Sequence, residues 1–169
     1  MYNNVKARVR CGADFTNYVI CTKGVKQGDA CSPVLFSLFI NELALEIIEK
    51  VRHGALLTPD IIALFILLLA DDIALISETP IGLQIQIENL YNAASRLHLR
   101  VNMNKSNIVV FRKGGHLAAR ERWFLNGEEM KIVNCYKYLG IYFSTRLSFT
   151  VACEDLESRA KKALLSIMH

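Results

Sequence analysis

The stretch Leu64-Phe65-Ile66-Leu67-Leu68-Leu69-Ala70-Asp71-Asp72-Ile73-Ala74-Leu75-Ile76 decides how this chain is read. Two adjacent carboxylates stand between strongly apolar flanks, where an unpaired charge costs on the order of several kcal/mol if buried. Each flank is about strand length and rich in Ile and Leu, so the pattern predicts two buried strands joined by a tight turn, with both acids exposed at the tip. The turn preference of Asp accounts for one such residue as part of a solvated turn. Two side by side also offer oxygen ligands to a hard cation such as Mg²⁺. On this stretch alone both readings stay open.

The rest of the composition narrows the class. At 169 residues the chain suits one compact domain with at most a small appendage, and an apolar fraction of 52% marks it as globular. The longest apolar run, Ile61 to Ala70, falls far short of the ~20 residues that span a bilayer, and no signal peptide opens the sequence. The expectation is a soluble intracellular protein without a membrane partner. Five cysteines, odd in number and without a Cys-x-x-Cys pair, and four histidines without ligand spacing argue against a zinc site or a disulfide framework. Net charge is only +4 but unevenly spread. Residues 96–122 carry seven basic side chains against Glu121, whereas residues 41–90 hold eight acids and two bases. Basic flanks around an acidic middle are compatible with gripping a polyanion around a metal centre, and equally with ordinary solvated faces.

Along the chain, Val5 to Arg10 and Tyr18 to Thr22 predict a hairpin with Asp14 in its connecting loop. Ser32-Pro33 starts a helix, with Ser as N-cap and Pro in the first turn. Its apolar pattern predicts a helix that enters the core first and surfaces later, supported by a Glu46 to Lys50 pair and closed by Gly54. Thr79-Pro80 repeats the start signal ahead of Leu83, Ile87, Leu90, Ala94 and Leu97 at helical spacing. Leu99, Val101 and Met103 alternate, and a second β-rich run covers 107–111, with Lys105 at the junction. Asn126-Gly127 is a strong hairpin signal. The run from Tyr136 to Phe143 reads as strand, with Tyr136, Tyr138 and Tyr142 on one face, suited to core packing or to contact with nucleic acid. A last helix begins near Thr150, its acids early and its bases late, as the helix dipole favours.

Taken in order, Gly24-Val-Lys-Gln-Gly28, Ser32-Pro-Val-Leu-Phe36, Ala70-Asp71-Asp72, Asn102-Met-Asn-Lys105-Ser106 and Tyr138-Leu-Gly140 resemble the motif series of reverse transcriptases, specifically those of non-LTR (LINE-type) retrotransposons. The resemblance covers nearly the whole chain. It implies an α+β fold: a partial polymerase palm over residues 1–145, an antiparallel sheet with helices packed on one face, followed by the start of a helical thumb over 146–169. It implies that Asp71 and Asp72 are metal ligands and catalytic residues for two Mg²⁺ ions, and that Lys105 acts near the triphosphate. Gly24, Gln27 and Gly28 match the loop that packs on incoming nucleotide and template, and Tyr138, Leu139 and Gly140 match the hairpin that supports the primer end. The implied partners are an RNA template, a DNA primer and deoxynucleoside triphosphates. Two departures stand out. Leu69 occupies a position that is usually aromatic, and the family's first metal-binding aspartate, upstream of the Gly24 loop, has no match here, since Asp14 sits in the hairpin just before that loop. The chain alone is therefore expected to be an inactive fragment of an RNA-directed DNA polymerase, or a non-catalytic nucleic-acid-binding remnant of a retrotransposon.

Overall fold

Three helices carry the apolar periodicity, and short strand pairs fill the intervals between them. The computed structural model describes residues 5–22, 24–50, 55–56, 63–64 and 66–167. In order the elements are β1 (Val5–Ala7), β2 (Arg10–Cys11), β3 (Asp14–Phe15), β4 (Val19–Cys21) and α1 (Ser32–Lys50), then β5 (Ala55–Leu56), β6 (Ala63–Leu64), β7 (Ile66–Leu69) and β8 (Asp72–Leu75). After α2 (Pro80–Arg96) come β9 (Asn107–Ile108), β10 (Phe124–Leu125), β11 (Glu128–Glu129), β12 (Lys131–Ile132), β13 (Cys135–Tyr138) and β14 (Ile141–Ser144), and last α3 (Thr150–Ile167). The fold is α+β. Among the described residues the strands form separate two-stranded ladders, antiparallel except for β12 on β9, rather than one continuous sheet. Most are two residues long, too short to hold a neighbour on each side.

Helix α2 is the spine. Thr79 caps it by accepting the Gly82 amide at 3.0 Å, as the Thr-Pro signal predicted. On one side Leu90, Ala93 and Ala94 pack against Ile40, Leu43 and Ile47 of α1, with Ile66, Leu68, Ile73 and Leu75 of the β7–β8 hairpin closing the cluster. On the other, Ile87 meets Trp123, Leu125, Met130 and Ile108. The two clusters share Leu75 and Val101, so the acidic hairpin and the 123–132 segment lean on the same helix. Two side chains fasten that segment: the Trp123 indole donates to the Pro80 carbonyl, and the Gln84 amide both donates to and accepts from the Phe124 backbone, each at 2.9 Å. Gln84 thereby acts as a substitute strand edge for β10.

Several expectations change. The first turns of α1 surface and its later turns are buried, the reverse of the predicted order: Val34 and Leu38 are exposed, whereas Ile40, Leu43, Ala44 and Ile47 form the core face against Leu90, Ala93 and Ala94 of α2, with only Phe36 of the early turns packed on that cluster. Glu46 pairs with Arg96 of α2; the side chain of Lys50 and the Gly54 cap lie outside the described residues. The alternating 99–103 segment forms no strand, since its apolar side chains plug the two clusters instead. In α3 the acids lie beyond the first turn and act laterally, Asp155 with Lys137 and Arg159, Glu157 with Lys161. The 136–143 run is a hairpin rather than one strand, with Tyr136 opposite Phe143 and Tyr138 opposite Ile141, while Tyr142 faces the other way beside Lys137. The described cysteines are all free and exposed or half-buried, as expected. No helix among the described residues is long and apolar enough to cross a membrane.

Candidate active site

Period-two alternation sorts the β7–β8 hairpin into two faces. Leu68 pairs with Ile73 and Ile66 with Leu75 on the face that packs against the helices. Leu69 pairs with Asp72 and Leu67 with Ala74 on the other, which is open. The strands are thus half-buried rather than buried, with Leu69 57% exposed beside the acid. Ala70 and Asp71 make the two-residue turn, and Ala70 adopts a left-handed φ of 52°, a conformation that costs a residue with a Cβ roughly 1–2 kcal/mol. Asp71 and Asp72 are both exposed, and among the described residues neither carboxylate is taken up by an ion pair or a hydrogen bond. As hard oxygen donors they suit a hard cation. No group of three or more His, Cys, Asp or Glu gathers among the described residues.

Tyr138 of the β13–β14 hairpin feels the charge of this tip. Tyr138 is half-buried, and its hydroxyl is covered without a hydrogen-bond partner among the described residues. Burial pushes its pKa up, and the nearby Asp72 carboxylate pushes it further. The turn of this hairpin, Leu139-Gly140, has both residues at positive φ, 48° and 85°, as a two-residue hairpin turn of type I′ requires. Helix α3 pins it: Arg159 donates to the Gly140 carbonyl at 3.2 Å, and Asp155 bridges Arg159 and Lys137. Those cations hold the Asp155 carboxyl below the usual carboxylate range, with the Lys137 hydrogen bond the main cause.

Lys105 sits on a turn closed by hydrogen bonds from its own amide and that of Ser106 to the Asn102 carbonyl, at 3.1 and 3.0 Å. The Tyr136 hydroxyl donates to the Lys105 carbonyl at 2.9 Å, so the hairpin that carries Tyr138 also anchors the lysine turn. The structure therefore joins the lysine turn to the hairpin that carries the Tyr138-Leu139-Gly140 turn, and the acidic tip acts on that hairpin through the charge of Asp72. The Gly24–Gly28 loop is tied elsewhere. Both glycines are left-handed, Gln27 is exposed, and the Ser32 hydroxyl reaches back to the Lys26 carbonyl at 2.5 Å, which fastens the loop to the start of α1. Sequence reasoning had singled out Tyr138 without pairing it to Asp72, and had missed Arg159. The helical spacing of Asp155 and Arg159 signalled their ion pair, but nothing local signalled the Gly140 carbonyl.

With this arrangement in view, residues 6–143 match the family model described as Reverse transcriptase (RNA-dependent DNA polymerase). The chain belongs to the reverse transcriptase family. It is 31% identical over 149 residues to the Retrovirus-related Pol polyprotein from type-2 retrotransposable element R2DM of Drosophila melanogaster, covering 83% of this chain and 13% of that protein. It is 29% identical over 140 residues to a Pol polyprotein from type-1 retrotransposable element R2 of Popillia japonica, covering 79% of this chain and 23% of the relative. This reverse transcriptase chain spans less than a quarter of the length of those relatives, which are proteins of non-LTR retrotransposons.

Proposed function

We propose that this chain is the part of an RNA-directed DNA polymerase that carries the second half of the nucleotidyl-transfer site, with residues 1–145 as palm and 146–169 as the start of the thumb. The observation that carries the reading is the pair of exposed carboxylates at the tip of β7–β8, taken up by no ion pair or hydrogen bond among the described residues, with the charge of Asp72 felt at Tyr138 of the β13–β14 hairpin. Asp71 and Asp72 would hold Mg²⁺. When bound, the cations lower the pKa of an attacking 3′-hydroxyl and neutralise the departing pyrophosphate.

The remaining roles fall to groups that the fold holds in place. The Tyr138-Leu139-Gly140 turn, clamped by Arg159, supports the primer end against the acidic tip. Lys105, on a turn held by Tyr136, lies within the same linked set and supplies positive charge toward the triphosphate. Gly24 and Gly28, both left-handed, and Gln27 between them present an exposed backbone that can approach template and nucleotide closely. RNA template, DNA primer and deoxynucleoside triphosphates are the proposed partners.

The described residues bring together two carboxylates, whereas two-metal transfer needs donors from a further strand. The 169-residue chain alone is therefore expected not to extend a primer. Joined to the upstream fingers and first palm strand of a closely similar element, with a matching thumb, it is expected to do so on an RNA template. Asp71→Asn should then cut extension by about 10²–10³-fold, several kcal/mol of transition-state stabilisation, while leaving the melting temperature unchanged. Asp72→Asn should be milder. Robust extension by the bare chain, or by the Asp71→Asn fusion, would overturn these roles. Salt-sensitive binding of primer-template with no extension by the fusion would favour a nucleic-acid-binding remnant.

A further inference from the structure

The far end of the β13–β14 hairpin opens onto a second concave site, which the polymerase reading does not use. Its cavity holds about 400 Å³, a volume that encloses a single small-molecule-sized unit. Val110, Leu117 and Ile132 form an apolar part of the lining. Arg146, Asn134 and Thr145 supply side-chain donors around it, with the backbone of Gly114 and Gly115 alongside. Among the described residues, the side chains of Arg146, Asn134 and Thr145 are not taken up by any hydrogen bond or ion pair.

The wall is built rather than loose. Arg112 makes two 3.0 Å bonds to the Glu121 carboxylate and donates to the His116 carbonyl at 2.8 Å, and Glu121 accepts the Ala118 amide at 2.5 Å. This clamp closes the 112–121 loop on itself. Glu121 is held below the usual carboxylate range, chiefly by that backbone bond, with Arg112 adding to it. Two further bonds of 2.9 Å, from the Arg112 amide to the Thr145 carbonyl and from the Thr145 amide to the Asn134 carbonyl, join the loop to the hairpin end. With Arg112 neutralised by Glu121, Arg146 is the cation of this cavity that remains free to meet an anion.

Asn134, at the bend before β13, is four residues from Tyr138, or about 13 Å of extended chain, so the cavity lies at the other end of β13 from Tyr138. A guanidinium and an amide beside an apolar lining fit one phosphate and its attached base. The concavity admits a splayed-out nucleotide, whereas a base-paired one keeps its base stacked and hidden. The basic 96–122 segment, which leads into the clamped loop, supplies the attractive field.

We propose that this cavity binds one unpaired nucleotide of a single-stranded nucleic acid, Arg146 and Asn134 taking the phosphate and the apolar lining taking the base. The test measures anisotropy of short fluorescein-labelled single strands, as RNA and as DNA, and of a blunt duplex, on the 169-residue chain at fixed salt. Arg146→Glu should weaken single-strand binding about tenfold and Asn134→Ala about twofold, with duplex binding within about twofold of the parent. Both residues are exposed, and circular dichroism confirms that the variants fold. Equal loss for RNA and DNA identifies the shared phosphate chemistry, and loss for RNA alone identifies RNA as the ligand. Arg100→Glu makes the same charge change outside the cavity and should cost no more than about twofold. An equal loss with Arg100→Glu, an equal loss on duplex, or no loss with Arg146→Glu would overturn the proposal.

Discussion

The β10–β11 and β7–β8 hairpins solve the same backbone problem with different residues. Each joins antiparallel strands through two residues, and each needs a left-handed φ in the turn. In β10–β11 the turn is Asn126-Gly127, at φ 51° and 81°, residue types that tolerate this region at little cost. In β7–β8 it is Ala70-Asp71, with Ala70 at 52° and no glycine. The β13–β14 turn lies between them, with Leu139 at 48° followed by Gly140 at 85°. The hairpin that only closes a ladder uses relaxed chemistry. The two hairpins assigned to the proposed site each keep a strained non-glycine residue, the pattern that accompanies functional turns.

The comparison breaks most visibly at Gly127. A β-branched residue at φ 81° is strained whatever space surrounds it, so Gly127→Val should lose about 2 kcal/mol in urea unfolding with an unchanged m-value. A loss under about 0.5 kcal/mol would mean that the turn re-forms freely and that its residue types carry no information.

Ala70→Gly tests the other side with opposite sign. Relief of the left-handed alanine should stabilise the chain by about 1 kcal/mol, and the freer tip should slow primer extension in the assembled polymerase. Asn126→Gly, where the native residue already tolerates the conformation, should change stability by only a few tenths of a kcal/mol, roughly. Equal effects at the two positions would erase the distinction between the hairpins.

This contrast also explains what the sequence made legible. The Thr79-Pro80 start and the Asn126-Gly127 turn were readable because one or two residues fix the backbone on their own. So were the tight turn at the acidic tip, which the structure places at Ala70-Asp71 with Asp72 already in β8, and the motif order that pointed to the family. The face of Tyr142 was not, because Leu139-Gly140 hides a turn inside an apolar run that reads as continuous strand. Neither was the burial of α1. Its apolar residues run all round the helix, so the position of α2, rather than the pattern, decides which of them are covered. The electrostatic link from Tyr138 to Asp72 joins two hairpins more than sixty residues apart in the chain, a placement that no local signal encodes.

The smallest expected effect is at Tyr138, and it sharpens the comparison within one hairpin. Tyr136 and Tyr138 share a face of β13, and each places a hydroxyl near a proposed functional element. The Tyr136 hydroxyl is engaged with the Lys105 carbonyl at 2.9 Å, so Tyr136→Phe removes a formed bond and should cost about 1 kcal/mol. The Tyr138 hydroxyl is covered and has no hydrogen-bond partner among the described residues. Removing it relieves a desolvated donor, so Tyr138→Phe should leave stability unchanged or raise it by up to about 0.5 kcal/mol. If Tyr138 serves the site, that neutral change in stability should come with altered primer extension in the assembled polymerase. The Tyr136 variant should instead lose stability first. The deciding measurement is urea unfolding of both variants alongside primer extension. A Tyr138→Phe protein that loses as much stability as Tyr136→Phe would show that its hydroxyl is an ordinary structural bond, and the contact with the acidic hairpin would lose its functional meaning.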